Sequence, residues 1–186
     1  MGSRWQPHKL GDLVEIKHGF AFKSSNFSDE PTNDILLTPG NFAIGGGFKY
    51  DKLKYYNGDV PEEYILNPDD LLVTMTDLSK QADTLGFPAI VPETHGMCYL
   101  HNQRLGLVEI RQGVQVDKVY LFYLLCSREY RHEVIASVMS TQKHWVNRLI
   151  FMLINSIFPQ GNFYHITTNL EVSYEKAHCS VIRGGT

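Results

Sequence analysis

Short apolar runs separated by turn-forming residues fill most of the chain, and a helical period takes over late. Residues 9–17 alternate weakly, with Leu10, Leu13, Val14 and Ile16 apolar, and predict a short helix turning into a strand. Gly19-Phe20-Ala21-Phe22 reads as an apolar turn leading to a strand. Residues 34–38 form a strand, with Pro39-Gly40 as its turn. Gly45-Gly46-Gly47 marks a loop tip, because such a run adopts backbone angles that side chains resist. Residues 61–64 make a loop or short helix, and Asn67-Pro68-Asp69-Asp70 is a turn that launches a strand over 71–75. Two further strands lie between Pro88 and Pro92 and over 105–110, the latter ended by Arg111-Gln112-Gly113.

From residue 117 the period changes. Val119, Phe122, Leu125, Val134 and Val138 recur at helical spacing behind Asp117, a good N-cap, and predict one long helix over 117–138. Val146, Leu149, Ile150, Leu153, Ile154 and Ile157 draw a second apolar stripe, a helix at about 146–158 that Pro159-Gln160-Gly161 ends. The fold class that follows is α+β: a twisted, mostly antiparallel sheet with short helices, then a long helix and a helical tail.

Composition narrows the class. With 186 residues, 43% of them hydrophobic and 20% charged, the chain is a folded domain and not a disordered tract. A net charge of −3 argues against an unselective phosphate binder, which is usually basic. The charge is uneven, however. Asp and Glu crowd residues 28–70, whereas residues 136–170 hold no acid and keep Lys143 and Arg148. Three cysteines make no even disulfide framework, and residues 1–11 are too polar for a secretory signal, so a cytoplasmic location with reduced thiols is expected.

Catalytic motifs are missing. No phosphate-binding glycine loop, nucleophile elbow or dinucleotide fingerprint occurs. Asn67-Pro68 is followed by two aspartates, where a methyltransferase acting on a flipped base would need an apolar clamp. Glu15-Ile16-Lys17 lacks the preceding acidic strand of a nuclease centre. His95, Cys98 and His101 are zinc-type ligands without a fourth partner at a clear spacing, so no metal site is assigned. Polar clusters instead follow the stiff apolar strands: Lys23-Ser24-Ser25-Asn26, residues 76–81 with Thr76 and Lys80, Asn102-Gln103-Arg104, and residues 140–144 with Lys143 and His144. Amides can pair with adenine, and arginine with guanine or phosphate, although ordinary loop capping accounts for each cluster taken alone.

In order along the chain, these segments resemble the target-recognition domain of type I restriction-modification specificity subunits. The resemblance is carried by residues 10–16 with Gly19-Phe20-Ala21-Phe22-Lys23-Ser24, residues 66–76, Ala89-Ile90-Val91-Pro92, residues 100–105, Phe122-Tyr123-Leu124-Leu125 with Ser127, and Ser140-Thr141-Gln142-Lys143-His144. It covers residues 10–144, the expected DNA target-recognition domain. Residues 145–186 depart from the family as an atypical tail, such as a truncated or frameshifted gene would produce.

The resemblance implies a non-catalytic subunit that reads double-stranded DNA. Modification subunits would bring S-adenosylmethionine, and restriction subunits ATP and magnesium; no cofactor is expected on this chain. Arg104 is expected to contact a base edge or phosphate, with Asn102 and Gln103 steadying its loop. Lys23, Lys80 and Lys143 would neutralise phosphate, with Ser24, Thr76 and His144 as further DNA contacts. An assembly or regulatory fragment that competes with an intact specificity subunit is the alternative, and a nuclease or methyltransferase ranks below both. The tail stripe must fold back on the domain or meet a second copy as a homodimer.

Overall fold

A computed structural model describes residues 7–76, 83–93, 95–141 and 158–159. Residues 9–156 form one compact unit; residues 1–8 and 157–186 form another. In the smaller unit, β1 (Pro7–His8) pairs antiparallel with β11 (Phe158–Pro159). The expected tail helix lies outside the described residues except at its last position, where Phe158 is extended instead. The dimerisation stripe at residues 146–157 and the contact residues Lys80, Lys143 and His144 also lie outside them.

The larger unit opens with α1 (Leu10–Leu13), which turns directly into β2 (Val14–His18), as the weak alternation predicted. Its strands make two sheets where the sequence suggested one. The first sheet has the order β2, β10 (Leu105–Ile110), β7 (Leu71–Thr74), β8 (Pro88–Ile90), antiparallel throughout. The second has the order β3 (Phe27–Ser28), β5 (Lys54–Tyr56), β4 (Asp34–Leu37), β9 (Cys98–His101), β6 (Ile65–Leu66). Its pairs are antiparallel except β4 with β9, which run parallel from Asp34 beside Cys98 to Leu37 beside His101.

The core lies between the sheets. Ile35, Leu37, Leu66 and Tyr99 come from one, Leu72, Ala89 and Leu105 from the other, and Phe42 and Val91 close the cluster. Strand alternation sends Leu36 and Leu100 to the opposite face of the second sheet, where Phe22 and Tyr56 cover them. Strand β7 is buried at every position, which explains the apolar run Leu71-Leu72-Val73. Gly45, Gly46 and Gly47 all take positive φ, and the Gly47 N–H donates to the Pro88 carbonyl at 2.8 Å, so this loop tip is tied to the start of β8.

The helical segment corrects the expectation of one long helix. It is broken at Ser127 into α2 (Lys118–Cys126) and α3 (Arg128–Thr141). Ser127 is extended (φ −65°, ψ 153°), and its hydroxyl accepts from the Tyr130 N–H at 3.2 Å, an N-cap for the second helix. The buried stripe is Leu121, Leu124 and Leu125 in α2, then Tyr130 and Val134; Val119 and Phe122 are only half-buried. Helix α2 packs on β8, and Arg131 anchors α3 by lying 4.4 Å over the Phe87 ring. No helix among the described residues is long and apolar enough to cross a membrane.

Asp117 caps α2 as predicted: its carboxylate accepts from the Tyr120 N–H at 2.8 Å. Asp117→Ala is therefore expected to destabilise the domain by about 1 kcal/mol, read as a lowered denaturation midpoint with an unchanged denaturant slope. Asp117→Asn, which keeps an acceptor, should recover most of the loss.

Candidate nucleic-acid interface

Strand direction decides which loops share an end. Strands β2 and β7 run antiparallel to β10, with His18 beside Gly106 and Thr74 beside Leu105. The exits of β2 and β7 therefore meet the start of β10. Strand β9 ends at His101, and residues 102–104 carry the chain from the second sheet into the first. Strand β4 ends beside His101, and β6 starts beside Leu100, so the loop after Leu37 and the turn Glu62–Tyr64 reach the same end. Four other connections thus converge around Asn102-Gln103-Arg104.

That turn is rigidly built. The Asn102 side-chain oxygen accepts from the Arg104 N–H at 2.9 Å, and the Leu105 N–H donates to the Asn102 carbonyl at 2.9 Å. Outside the turn, the Met75 N–H donates to the Arg104 carbonyl at 2.9 Å. Phe20 lies alongside, its N–H donating to the His101 carbonyl at 2.8 Å and its carbonyl accepting from the Gln103 N–H at 2.9 Å. Gly19 permits this approach, since a Cβ there would drive into the carbonyls of His101 and Asn102.

Under the loops the core turns polar. Asn41, Thr74, Thr76 and His101 are the buried polar side chains among the described residues. Asn41 accepts from the Thr38 N–H at 3.0 Å and donates to the Lys49 and Asp51 carbonyls, each at 3.4 Å, which pins the loop beyond β4. Thr74 donates its hydroxyl to the Thr84 carbonyl. His101 Nε2 lies 3.0 Å from the Leu105 carbonyl; a carbonyl only accepts, so Nε2 carries the proton. Burial drives the His101 pKa down to about 4, against the opposing pull of the Leu105 carbonyl, and Lys17 and His18 lower it further. The ring is a neutral clamp across the turn.

The structure separates the expected contacts. Gln103 is exposed and Arg104 half-buried, and among the described residues no acceptor engages the Arg104 guanidinium. Asn102 spends its side-chain oxygen on the turn. Thr76 is only 4% exposed, so it is not presented to a ligand: it faces inward at the exit of β7. Lys23 and Ser24 are exposed but not gathered with the turn. From Phe22, which packs on the outer face of the second sheet, the chain runs to Asn26, whose carbonyl accepts from Asn57 N–H at 2.9 Å beyond the far end of β5. His95, Cys98 and His101 do not converge either. Cys98 packs with the outer cluster and His101 alternates to the inner face, while His95 sits in a turn at positive φ. Among the described residues no three His, Cys, Asp or Glu side chains group as a metal site.

The sequence reading passed over the flank of the turn. Phe20 stays 36% exposed, and Lys17 reaches from β2 to the Glu63 carbonyl at 3.3 Å. Charge also differs between the two ends. Lys17, Lys49, Lys52 and Arg104, with Asp51, Glu62 and Glu63, belong to strands and loops at the turn's end, whereas the loops at 57–60 and 67–70 carry Asp59, Asp69 and Asp70, with Lys118 donating to the Asp69 carbonyl at 2.8 Å.

Comparison with known proteins gives this geometry its context. The chain is 26% identical over 147 residues to the type I restriction enzyme EcoBI specificity subunit of Escherichia coli, covering 78% of this chain and 27% of that protein. It superposes with a TM-score of 0.59 on a chain from a study of complex assembly and conformational transition of the type I R-M system, at 12% identity. It superposes at 0.54 on the HsdS subunit from Thermoanaerobacter tengcongensis, at 13% identity. The fold is that of part of an HsdS subunit. Both superpositions cover 98% of this chain and 40% of the other, so the chain spans well under half the length of the proteins it matches. No family model matches the sequence.

The His101 clamp generates a pH prediction. Its folded-state pKa of about 4 lies below the ordinary 6.5, so the unfolded chain binds the extra proton first. The stability due to the neutral ring is complete above pH 6.5 and is lost as pH falls from 6.5 towards 4, by about 1.4 kcal/mol per pH unit. Denaturant titrations across that window should show this slope in the wild type and a flattened one in His101→Gln.

Proposed function

We propose that this chain is a DNA target-recognition domain of a type I restriction-modification specificity subunit, which reads one part of a split duplex sequence and performs no chemistry itself. The observation that carries the reading is the turn at Asn102-Gln103-Arg104. It is clamped by His101, Phe20 and Met75 at the junction of two sheets, yet it carries an exposed amide and a half-buried guanidinium that no acceptor among the described residues engages. Rigid strands beneath polar loops suit selective contact, because little order is lost on binding. Sequence similarity to a specificity subunit and the HsdS fold support the same reading.

In this reading Arg104 reads a base edge and Asn102 holds it in place. Lys17, Lys49 and Lys52 add local attraction for phosphate to a chain whose net charge is −3. Modification and restriction subunits are the protein partners and supply S-adenosylmethionine, ATP and magnesium. A second recognition domain, in the same subunit or from another copy, reads the rest of the site.

Selection of bound duplexes from a randomised pool, followed by anisotropy titrations with the purified chain, tests the proposal. Selective binding is expected, weakened roughly ten- to a hundredfold between about 50 and 200 mM salt if a few phosphates are contacted. Methyl transfer or cleavage by the isolated chain, above an Arg104→Ala control, would refute the non-catalytic reading. Arg104→Ala should itself cost roughly 1–3 kcal/mol of binding and relax the preference at one position, with the fold retained. Unchanged affinity and preference would remove Arg104 from the interface.

A further inference from the structure

The connection from β4 to β5 emerges at the same end of the sheets as the 102–104 turn, and it carries a tight hairpin. Phe42 bridges Phe48 antiparallel, and the Ala43 N–H donates to the Gly47 carbonyl at 2.9 Å. At the tip the Gly46 N–H donates to the Ala43 carbonyl at 3.0 Å, which closes a turn with Ile44 and Gly45 at its corners. Gly45 has φ +93°, the left-handed value that a type II turn requires at its third position. Ile44, at the second position, is 72% exposed, more than any other large apolar side chain among the described residues. A lone isoleucine in water is ordinary; the support behind this one is not. The Gly47 N–H is tied to the Pro88 carbonyl, and Gly46 lies so close to α2 that a Cβ there would drive into Cys126 Sγ. The backbone that carries Ile44 is therefore ordered before anything binds, and little freedom remains to be lost.

Over Ala43-Ile44-Gly45-Gly46-Gly47 only one side chain is larger than a methyl. The tip is a slim two-stranded ribbon with one branched apolar group at its corner, and the major groove of duplex DNA admits such a ribbon. Within that groove an aliphatic group has a distinctive partner, the 5-methyl of thymine. Lys49 and Lys52 follow on the return arm and supply charge for nearby phosphates; Lys52 is exposed, and Lys49 is held only loosely by Asp51 at 3.9 Å. The hairpin is anchored near the 102–104 turn as well. Gly106 lies beside Val73 and Val73 beside Pro88, so the anchor is two strands, about 10 Å, from the start of β10. We infer that Ile44 is a specificity-determining residue that takes the 5-methyl group of one thymine in the major groove. This rests on the proposed DNA-reading function and adds a contact separate from the 102–104 turn. A protein partner fits the tip less well, because one side chain among glycines offers far less apolar area than a docking patch.

The test pairs a protein change with a single-methyl change in DNA. Duplexes selected by the full chain are remade with deoxyuridine in place of thymine, one position at a time. At one thymine the wild type should lose about fourfold in affinity, the value of one buried methyl. Ile44→Ala should bind the selected duplex more weakly and show no further loss at that thymine. Ile44→Val, which keeps a branched apolar end, should still sense the methyl. Because Ile44 is exposed, both variants should keep the denaturation midpoint of the wild type, so a change in binding is not a change in folding. The inference is overturned if the wild type selects DNA but its site holds no thymine that Ile44→Ala ceases to sense. It is equally overturned if Ile44→Ala binds every duplex as the wild type does, which would leave the tip to a protein partner or to solvent. Absence of any selective DNA binding would instead overturn the parent reading, and the role of Ile44 with it.

Discussion

The handover from β9 to β10 is the constraint on which the rest of the domain depends. One tight turn passes the chain from the second sheet to the first, and every sheet contact nearby is keyed to it. The neutral His101 ring spans the turn to the Leu105 carbonyl, Met75 ties it to the exit of β7, and Phe20 ties it to the exit of β2. Because β9 runs parallel to β4 and antiparallel to β6, the same point also fixes where the loops of the second sheet emerge. A displacement of this turn would move the whole set of connections; buried Asn41, Thr74 and His101, costly without partners, are hydrogen-bonded here, whereas the buried Thr76 hydroxyl has no partner among the described residues.

The same handover explains how a chain of negative net charge can place Lys17 and Arg104 at one end of its sheets. Directional strands sort the loops, and the loops carry the charge. Asp59, Asp69 and Asp70 belong to connections at the end away from the turn. The side chains left available beside the turn are a guanidinium, an amide and a braced aromatic ring, a chemically mixed set on a stiff base. Under the proposed function, binding energy there would go into discrimination, because the supports do not need to be ordered first.

Much of the scaffold was legible in the sequence. The strands around residues 34–37, 71–74, 88–90 and 105–110 follow from apolar runs bounded by Pro, Gly, Asn and Asp. The α1-to-β2 switch and the Asp117 cap were equally local. What failed was non-local. Cys98-Tyr99-Leu100-His101 invites a ligand reading because its polar ends stand out, yet its conformation is set by parallel pairing with β4, far away in sequence. The break at Ser127 escaped because one extended residue barely disturbs a helical count of apolar positions. Thr76 looked like a loop residue because it follows an apolar strand, but the strand's end is roofed over. Phe20 was read only as part of an apolar turn leading to a strand; its partial exposure depends on neighbours, Tyr64 and the 102–104 turn, that no local pattern announces.

Pairing of His18 with Gly106 has a consequence for how the protein comes into being. During synthesis β2 leaves the ribosome well before its partner among the described strands of the first sheet, β10, which emerges on the order of ten seconds later at ordinary elongation rates. Parallel pairing of β4 with β9 imposes a similar wait. Neither sheet can close until most of the larger unit has been made. Such non-local closure makes folding slow and leaves early apolar strands without partners for a time. The short β3 and β6, each only two residues long, then limit the exposed edges of the second sheet on which growing chains could add to one another.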